Sequence, residues 1–271
     1  MKSDRKRVAV AGLGAIGEKV ARWLDTQAEG LDLVGVSARD RQKAEAKLAG
    51  FQHPVPLLTL DALAEAADIV VECTPAAVFE DLARSVIGRG KIFVTVSVGA
   101  LLPRMDLVDL ARETGARIVV PTGALLGLDA VRAAAQGKVD RVSLVTRKPP
   151  GGLAGAPYLL RHGIELEGLA EPLKVFEGTA RAGAEGFPAN VNVAAALSLA
   201  GIGPDATTLE IWADPGVTRN THTVIVEAES ARLEMTIENV PSPENPRTGL
   251  ITPLSVIASL RRFADPLQVG T

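Results

Sequence analysis

Three glycines, Gly12, Gly14 and Gly17, directly follow the apolar run Val8–Ala11 and open a stretch with helical spacing at Ile16, Val20 and Leu24. A strand, a glycine turn and a helix in that order are what a dinucleotide pyrophosphate needs. Gly12 makes the tight turn, Gly14 lets the backbone approach the phosphates, and Gly17 brings the helix against the strand. The N–H groups at Ala15 and Ile16, with the positive end of the helix dipole, then face the anion. The ligand expected here is NAD or NADP. An acid about 20 residues further on usually reads the ribose, but this stretch is Val36-Ser37-Ala38-Arg39. Ser37 stands where the acid would be and Arg39 could pair with a 2′-phosphate, so NADP is tolerated as well as NAD. Asp40 serves equally well as the N-cap of a helix over 41–48.

A second cluster, Glu72-Cys73-Thr74-Pro75, ends the third apolar run, where a doubly wound sheet meets its ligand. Cys73, Thr74 and Pro75 are expected beside the ribose. No base accompanies Cys73, so its thiol reads as packing. Acid–base chemistry near neutral pH is limited to three histidines. His53 precedes a proline and His162 lies in a polar turn. His222 starts the apolar run 223–229, and by residue type it is a surface histidine as readily as a base. Asn190 and Asn192 precede an Ala-rich helix. Capping accounts for one of them, and two amides also suit a nicotinamide carboxamide or a substrate carboxylate.

The elements that must hold these residues follow from the apolar pattern. Short runs at 8–11, 31–36, 69–71, 92–96 and 118–120 alternate with helical spacing such as Leu60, Leu63 and Ala67, or Leu107, Leu110 and Ala111. Strands apolar on both faces, separated by helices, predict an α/β fold with a doubly wound parallel sheet of the Rossmann type. After Pro121 come a helix near 128–136 and longer alternating strands at 139–146, 209–213, 223–229 and 233–238. These predict a second, α+β domain on a mixed or antiparallel sheet. The boundaries expected are 1–120 for nucleotide binding and 121–246 for a second domain serving substrate and catalysis, with a final helix within 247–271 packing back on the first domain.

Composition narrows the classes of partner. The 271 residues are 47% hydrophobic but 3% aromatic, with a net charge of −3 and scattered Lys and Arg. Nothing in this draws the chain to nucleic acid or a membrane surface, and a small-molecule partner is expected. One cysteine permits no intrachain disulfide and too few thiols for a metal cage. No run approaches the ~18 apolar residues of a membrane span, and Met1–Arg7 is unlike a secretory leader. The cytoplasm is the compartment expected.

Several separated motifs together resemble the L-aspartate dehydrogenases: Gly12–Gly17, Pro121-Thr122-Gly123-Ala124, Thr146-Arg147-Lys148-Pro149-Pro150, Phe187–Val193 and Asn220-Thr221-His222. The resemblance spans the chain. It implies reversible NAD(P)-dependent oxidative deamination of L-aspartate to iminoaspartate. The imine is then hydrolysed to oxaloacetate and ammonia or used in NAD biosynthesis. It also implies a homodimer, His222 as the catalytic acid–base, and cofactor contacts at Ala124 and Asn190. Two substrate carboxylates ask for cations, for which Arg147, Lys148 and Arg219 are candidates with Asn192 as a neutral helper. The competing readings are a dihydrodipicolinate reductase-like or homoserine dehydrogenase-like enzyme, and a dinucleotide-binding sensor without turnover. The first lacks its paired-histidine motif here, and no lysine pattern of the second is found.

Overall fold

The structure, a computed structural model, describes residues 5–188, 191–245 and 248–270. Two compact units divide it: one runs to Pro121 and resumes over Thr252–Val269, and the other spans Thr122–Ile251 and takes in Gly270.

The first unit follows β1 (Lys6–Ala11), α1 (Ala15–Thr26), β2 (Leu31–Ser37), α2 (Arg41–Leu48), α3 (Leu60–Ala66), β3 (Ile69–Glu72), α4 (Ala76–Gly88), β4 (Ile92–Thr95), α5 (Val98–Leu101), α6 (Asp106–Thr114) and β5 (Arg117–Val119). Its strands pair in parallel in the order β2-β1-β3-β4-β5. The connection from β2 to β3 therefore crosses β1, which makes the ends of β1 and β3 the switch point where such sheets take ligands. Continuous apolar runs were expected because both faces are covered, and every residue of β3 is buried. Local caps set the helix ends. Asp40 accepts from the Lys43 N–H to start α2, Thr59 does the same for α3 through Ala62, and Gly115 stops α6 in the left-handed region.

The second unit follows α7 (Leu128–Ala134), β6 (Val139–Lys148), a 3₁₀ turn at Pro150–Gly152, α8 (Pro157–His162), β7 (Leu173–Thr179), α9 (Ala180–Gly186), α10 (Asn192–Ala200), β8 (Thr207–Ala213), β9 (Asn220–Ala228) and β10 (Arg232–Asn239). Its sheet order is β10-β9-β6-β8-β7, with β6 and β8 parallel and the other neighbours antiparallel. The sheet is therefore mixed. Period-two alternation buries Leu144, Leu209, Ile211, Val224 and Val226 on one face. There α9 lies so close that a Cβ on Gly183 would meet Leu209 Cδ2 at 2.4 Å. Strand β7 was not expected from the sequence. A register shift between Lys174 and Phe176 makes the adjacent Val175 and Phe176 both buried, which breaks the alternation that marks a strand.

The chain then forms α11 (Ile251–Arg261), which starts two residues before the expected Pro253. Proline is tolerated there because first-turn N–H groups have no intrahelical acceptor. Val256 and Leu260 join Val8, Val10, Val20 and Trp23 in the core of the first unit. Among the described residues no helix is long and apolar enough to cross a membrane.

Candidate active site

The glycine turn shows three different physical demands. Gly12 has φ +95°, and a Cβ there would lie 2.4 Å from the Cys73 carbonyl oxygen. A Cβ on Gly17 would lie 1.9 Å from the Gly12 carbonyl oxygen. Gly14 meets nothing within 4 Å, and as the N-cap of α1 it offers no side chain to the helix N–H groups. That combination leaves open space in front of the unsatisfied first turn at Ala15 and Ile16, which fits the pyrophosphate of NAD or NADP. Two contacts brace the turn from behind. The Gly12 N–H donates to the Ser37 carbonyl at 2.8 Å, and Lys47 of α2 donates to the Leu13 carbonyl at 2.7 Å while pairing with Glu18.

Ser37 ends β2 and is buried, and Arg39 is exposed on the loop after it. Asp40, the acid next along the chain, is engaged as the α2 cap at 3.0 Å. Cys73 and Thr74 are partly exposed and Pro75 is exposed. Desolvation, with Glu72 beside it, raises the Cys73 thiol pKa well above its ordinary value. A thiol so protonated is a poor nucleophile.

In the sequence Glu72 marks only the end of a strand. It is fully buried, and its carboxylate collects five hydrogen bonds. Thr74 donates to Oε1 from its N–H at 2.7 Å and its hydroxyl at 2.8 Å, and the Ser97 hydroxyl donates there at 3.0 Å. Oε2 accepts from the Thr95 hydroxyl at 2.7 Å and the Ser97 N–H at 3.3 Å. The carboxylate thus ties the loop after β3 to the loop after β4, beside the glycine turn. The available cue was an acid ending an otherwise apolar central strand.

In the second unit strand register assembles the chemistry. Thr146 of β6 pairs directly with His222 of β9, and Lys148 lies two residues along the same face. All three are buried, with 4%, 3% and 6% exposure. His222 Nδ1 is 3.0 Å from Thr146 Oγ1. Burial, and then the nearby Lys148 ammonium, lower the His222 pKa to about 3, so the ring is neutral at ordinary pH. Next to them, Leu144, Phe187, Ala194, Leu209 and Ile211 line a narrow gap that reaches Thr146 and Lys148.

The remaining expected site residues are distributed as follows. Arg147 faces the opposite side of the sheet, bound to Asp214 at 3.0 Å and stacked 4.6 Å from the Trp212 ring. Neighbours in a strand point to opposite faces, so Arg147 does not share the face of Thr146, Lys148 and His222. Arg219 is exposed before β9. Asn192 is exposed at the first position of α10, whose N-cap is Val191 without a side-chain cap, so capping does not account for it. Asn190 lies outside the described residues. The Ala124 carbonyl accepts from Asn239 Nδ2 at 2.9 Å, a link the sequence reading missed because the two are 115 positions apart. The other histidines are exposed: His53 is held by Asp25, and His162 bonds the Tyr158 carbonyl.

Residues 129–263 match the family model described as aspartate dehydrogenase, C-terminal, and residues 12–121 match that of the homoserine dehydrogenase NAD-binding domain. An L-aspartate dehydrogenase of Bradyrhizobium diazoefficiens is 58% identical, covering 99% of this chain and 95% of its own. L-aspartate dehydrogenase 3 of Bordetella bronchiseptica is 54% identical, covering 97% of both chains. The crystal structure of aspartate dehydrogenase from Thermotoga maritima has the same fold, with TM-score 0.74 at 22% identity over 98% of this chain and 99% of that one. With identity this high over nearly its whole length, the chain belongs to the aspartate dehydrogenase family.

Proposed function

We propose that the chain catalyses reversible oxidative deamination of L-aspartate with NAD or NADP. The observation that carries the reaction class is the buried face on which neutral His222 stands beside Lys148. In this reading His222 takes a proton from the substrate ammonium, because only a free amine has the lone pair that drives hydride loss from Cα. Hydride acceptance is the chemistry the nicotinamide supplies when bound. The carbon–nitrogen double bond of iminoaspartate forms as the C–H bond breaks. His222 then assists addition of water, and ammonia leaves to give oxaloacetate. Lys148 binds one substrate carboxylate, with Arg219 and Asn192 toward the other. A carboxylate on Lys148 also offsets the ammonium's share of the lowered His222 pKa, the smaller share beside burial.

The cofactor residues of this reading are Gly12, Gly14, Ala15, Ile16 and Gly17 at the pyrophosphate, Ser37 and Arg39 at the adenosine ribose, Cys73, Thr74 and Pro75 on the ribose side, and Ala124 and Asn190 as further cofactor contacts. The residues from 1 to about 120 serve nucleotide binding, with the last helix completing that domain, and those from 121 to 246 serve substrate binding, catalysis and dimerisation. The working form is a cytoplasmic homodimer. Two-fold pairs are the commonest oligomers, and a lone cysteine suits a reducing compartment. Iminoaspartate released before hydrolysis is available to NAD biosynthesis.

The homoserine dehydrogenase reading draws on residues 12–121, the nucleotide-binding part. The test is NAD(P)H formation from L-aspartate beside L-glutamate, L-alanine and L-homoserine, for the wild type and His222→Gln. Turnover confined to aspartate and abolished in the variant is expected. No turnover of aspartate with either cofactor refutes the proposal.

A further inference from the structure

The polar contact on His222 is with a hydroxyl, where a carboxylate would be the stronger partner. Thr146 Oγ1 lies 3.0 Å from Nδ1, and both side chains are buried. Among the described residues this is the one hydrogen bond the ring makes to a side chain. The flanking strands offer no substitute: Ile211 of β8 pairs with Thr146, and Ile237 of β10 pairs with His222. Threonine is β-branched and stiff about χ1, so Oγ1 stays where the strand puts it.

A neutral imidazole has one protonated and one bare nitrogen, and only the bare one can take a proton. If Nδ1 carries the hydrogen and donates to Oγ1, the Nε2 lone pair is free. If the hydroxyl donates to Nδ1, Nε2 is capped by hydrogen and the ring has no base to offer. In water the neutral ring favours the second form, so the protein must select the first. We propose that Thr146 is a positioning residue that holds His222 as its Nδ1–H tautomer and leaves Nε2 as the proton acceptor. This rests on the reading of His222 as the acid–base.

The choice of a hydroxyl has a physical reason. A carboxylate at Nδ1 would stabilise the imidazolium and pull the ring toward permanent charge, next to the Lys148 ammonium. A hydroxyl orients the ring with little effect on its charge. With the pKa near 3, tautomer and not protonation decides whether the free enzyme holds a base.

The test uses full-length protein labelled with ¹⁵N-histidine. Long-range ¹⁵N–¹H correlation at neutral pH reports which nitrogen of each of the three histidines is protonated, and His222→Gln identifies the His222 signals. Expected are Nδ1–H in the wild type and in Thr146→Ser, and Nε2–H in Thr146→Val. In Thr146→Val, kcat with L-aspartate falls roughly 10- to 100-fold with KM for the cofactor unchanged, the range seen when a residue orienting a reactive group is lost. Thr146→Ser keeps most of kcat. A wild-type ring protonated at Nε2 overturns the proposal, and so does a Thr146→Val enzyme with unaltered tautomer and kcat. Should the valine variant not fold, the wild-type and serine spectra still decide. If His222→Gln turns over aspartate like the wild type, the acid–base reading itself falls, whatever the tautomer.

Discussion

Alanine at the three glycines of the turn should separate binding from folding. At Gly14 the backbone is extended, with φ −80° and ψ −166°, and a methyl group meets nothing within 4 Å. An alanine N-cap costs at most about 1 kcal/mol relative to glycine, or a Tm shift of about 2–4 °C in a chain of this size. The same methyl occupies the space through which the pyrophosphate approaches the helix N–H groups. Losing one charge-assisted contact of about 1.5–3 kcal/mol weakens cofactor binding roughly 10- to 100-fold. Gly17 is the reverse case. Its Cβ would lie 1.9 Å from a backbone oxygen and 3.2 Å from Val10 Cγ1, with no flexible side chain to move aside. Overpacking of this kind costs about 3 kcal/mol, or roughly 6–12 °C in Tm. Gly12→Ala adds a left-handed φ of +95° to a 2.4 Å clash and should be at least as damaging. Thermal unfolding by circular dichroism and titration with NADH and NADPH by fluorescence measure the two effects. A Gly14→Ala protein with wild-type affinity, or a Gly17→Ala protein with wild-type Tm, refutes the assignment of roles.

Two further outcomes follow from buried polar groups. His222 folds as a neutral base and gains its proton on unfolding, so the unfolded state binds more protons between the ordinary pKa of 6.5 and the folded value of about 3. Stability therefore falls as pH drops through that window, by about 1.4 kcal/mol per unit from this group. Acid titration of ellipticity should show His222→Gln losing less stability between pH 6 and 4 than the wild type, and equal slopes would contradict the assignment. At Glu72 both carboxylate oxygens face a backbone N–H, from Thr74 and Ser97. Glutamine therefore turns its NH₂ group onto an N–H in either orientation. Glu72→Gln should cost about 1–3 kcal/mol and raise KM for the cofactor through the loosened loop after β3. An unchanged Tm and KM would show that the five contacts are dispensable.

The first unit was readable because its determinants are local. Strands β1, β3 and β4 each carry a short continuous apolar run, and the glycine spacing carries its own conformational demand. The helix over 41–48 with Asp40 as its cap needed no long-range information, since the capping bond joins residues three apart. The mixed sheet was legible wherever alternation was regular, as in β9 and β10. It was not legible at β7, where the bulge puts two buried side chains side by side.

The candidate site divides on the same principle. His222 was singled out by scarcity, yet nothing local told whether it was a surface histidine or a buried one. Burial came from the covered face of the mixed sheet, to which alternation assigns His222, and register sets it there beside Thr146, 76 positions away. The motif Thr146-Arg147-Lys148 sets two cations side by side in the sequence. A strand has period two, so register divides it, sending Thr146 and Lys148 to the His222 face and Arg147 to Asp214 and Trp212. Charges counted along the chain therefore do not tell which cations share a face of the sheet. Thr146, which has no charge to attract notice, is the neighbour that touches the imidazole. A site on paired strands is composed of alternate residues, so its cations and its orienting hydroxyl become readable only once one strand pairing is known.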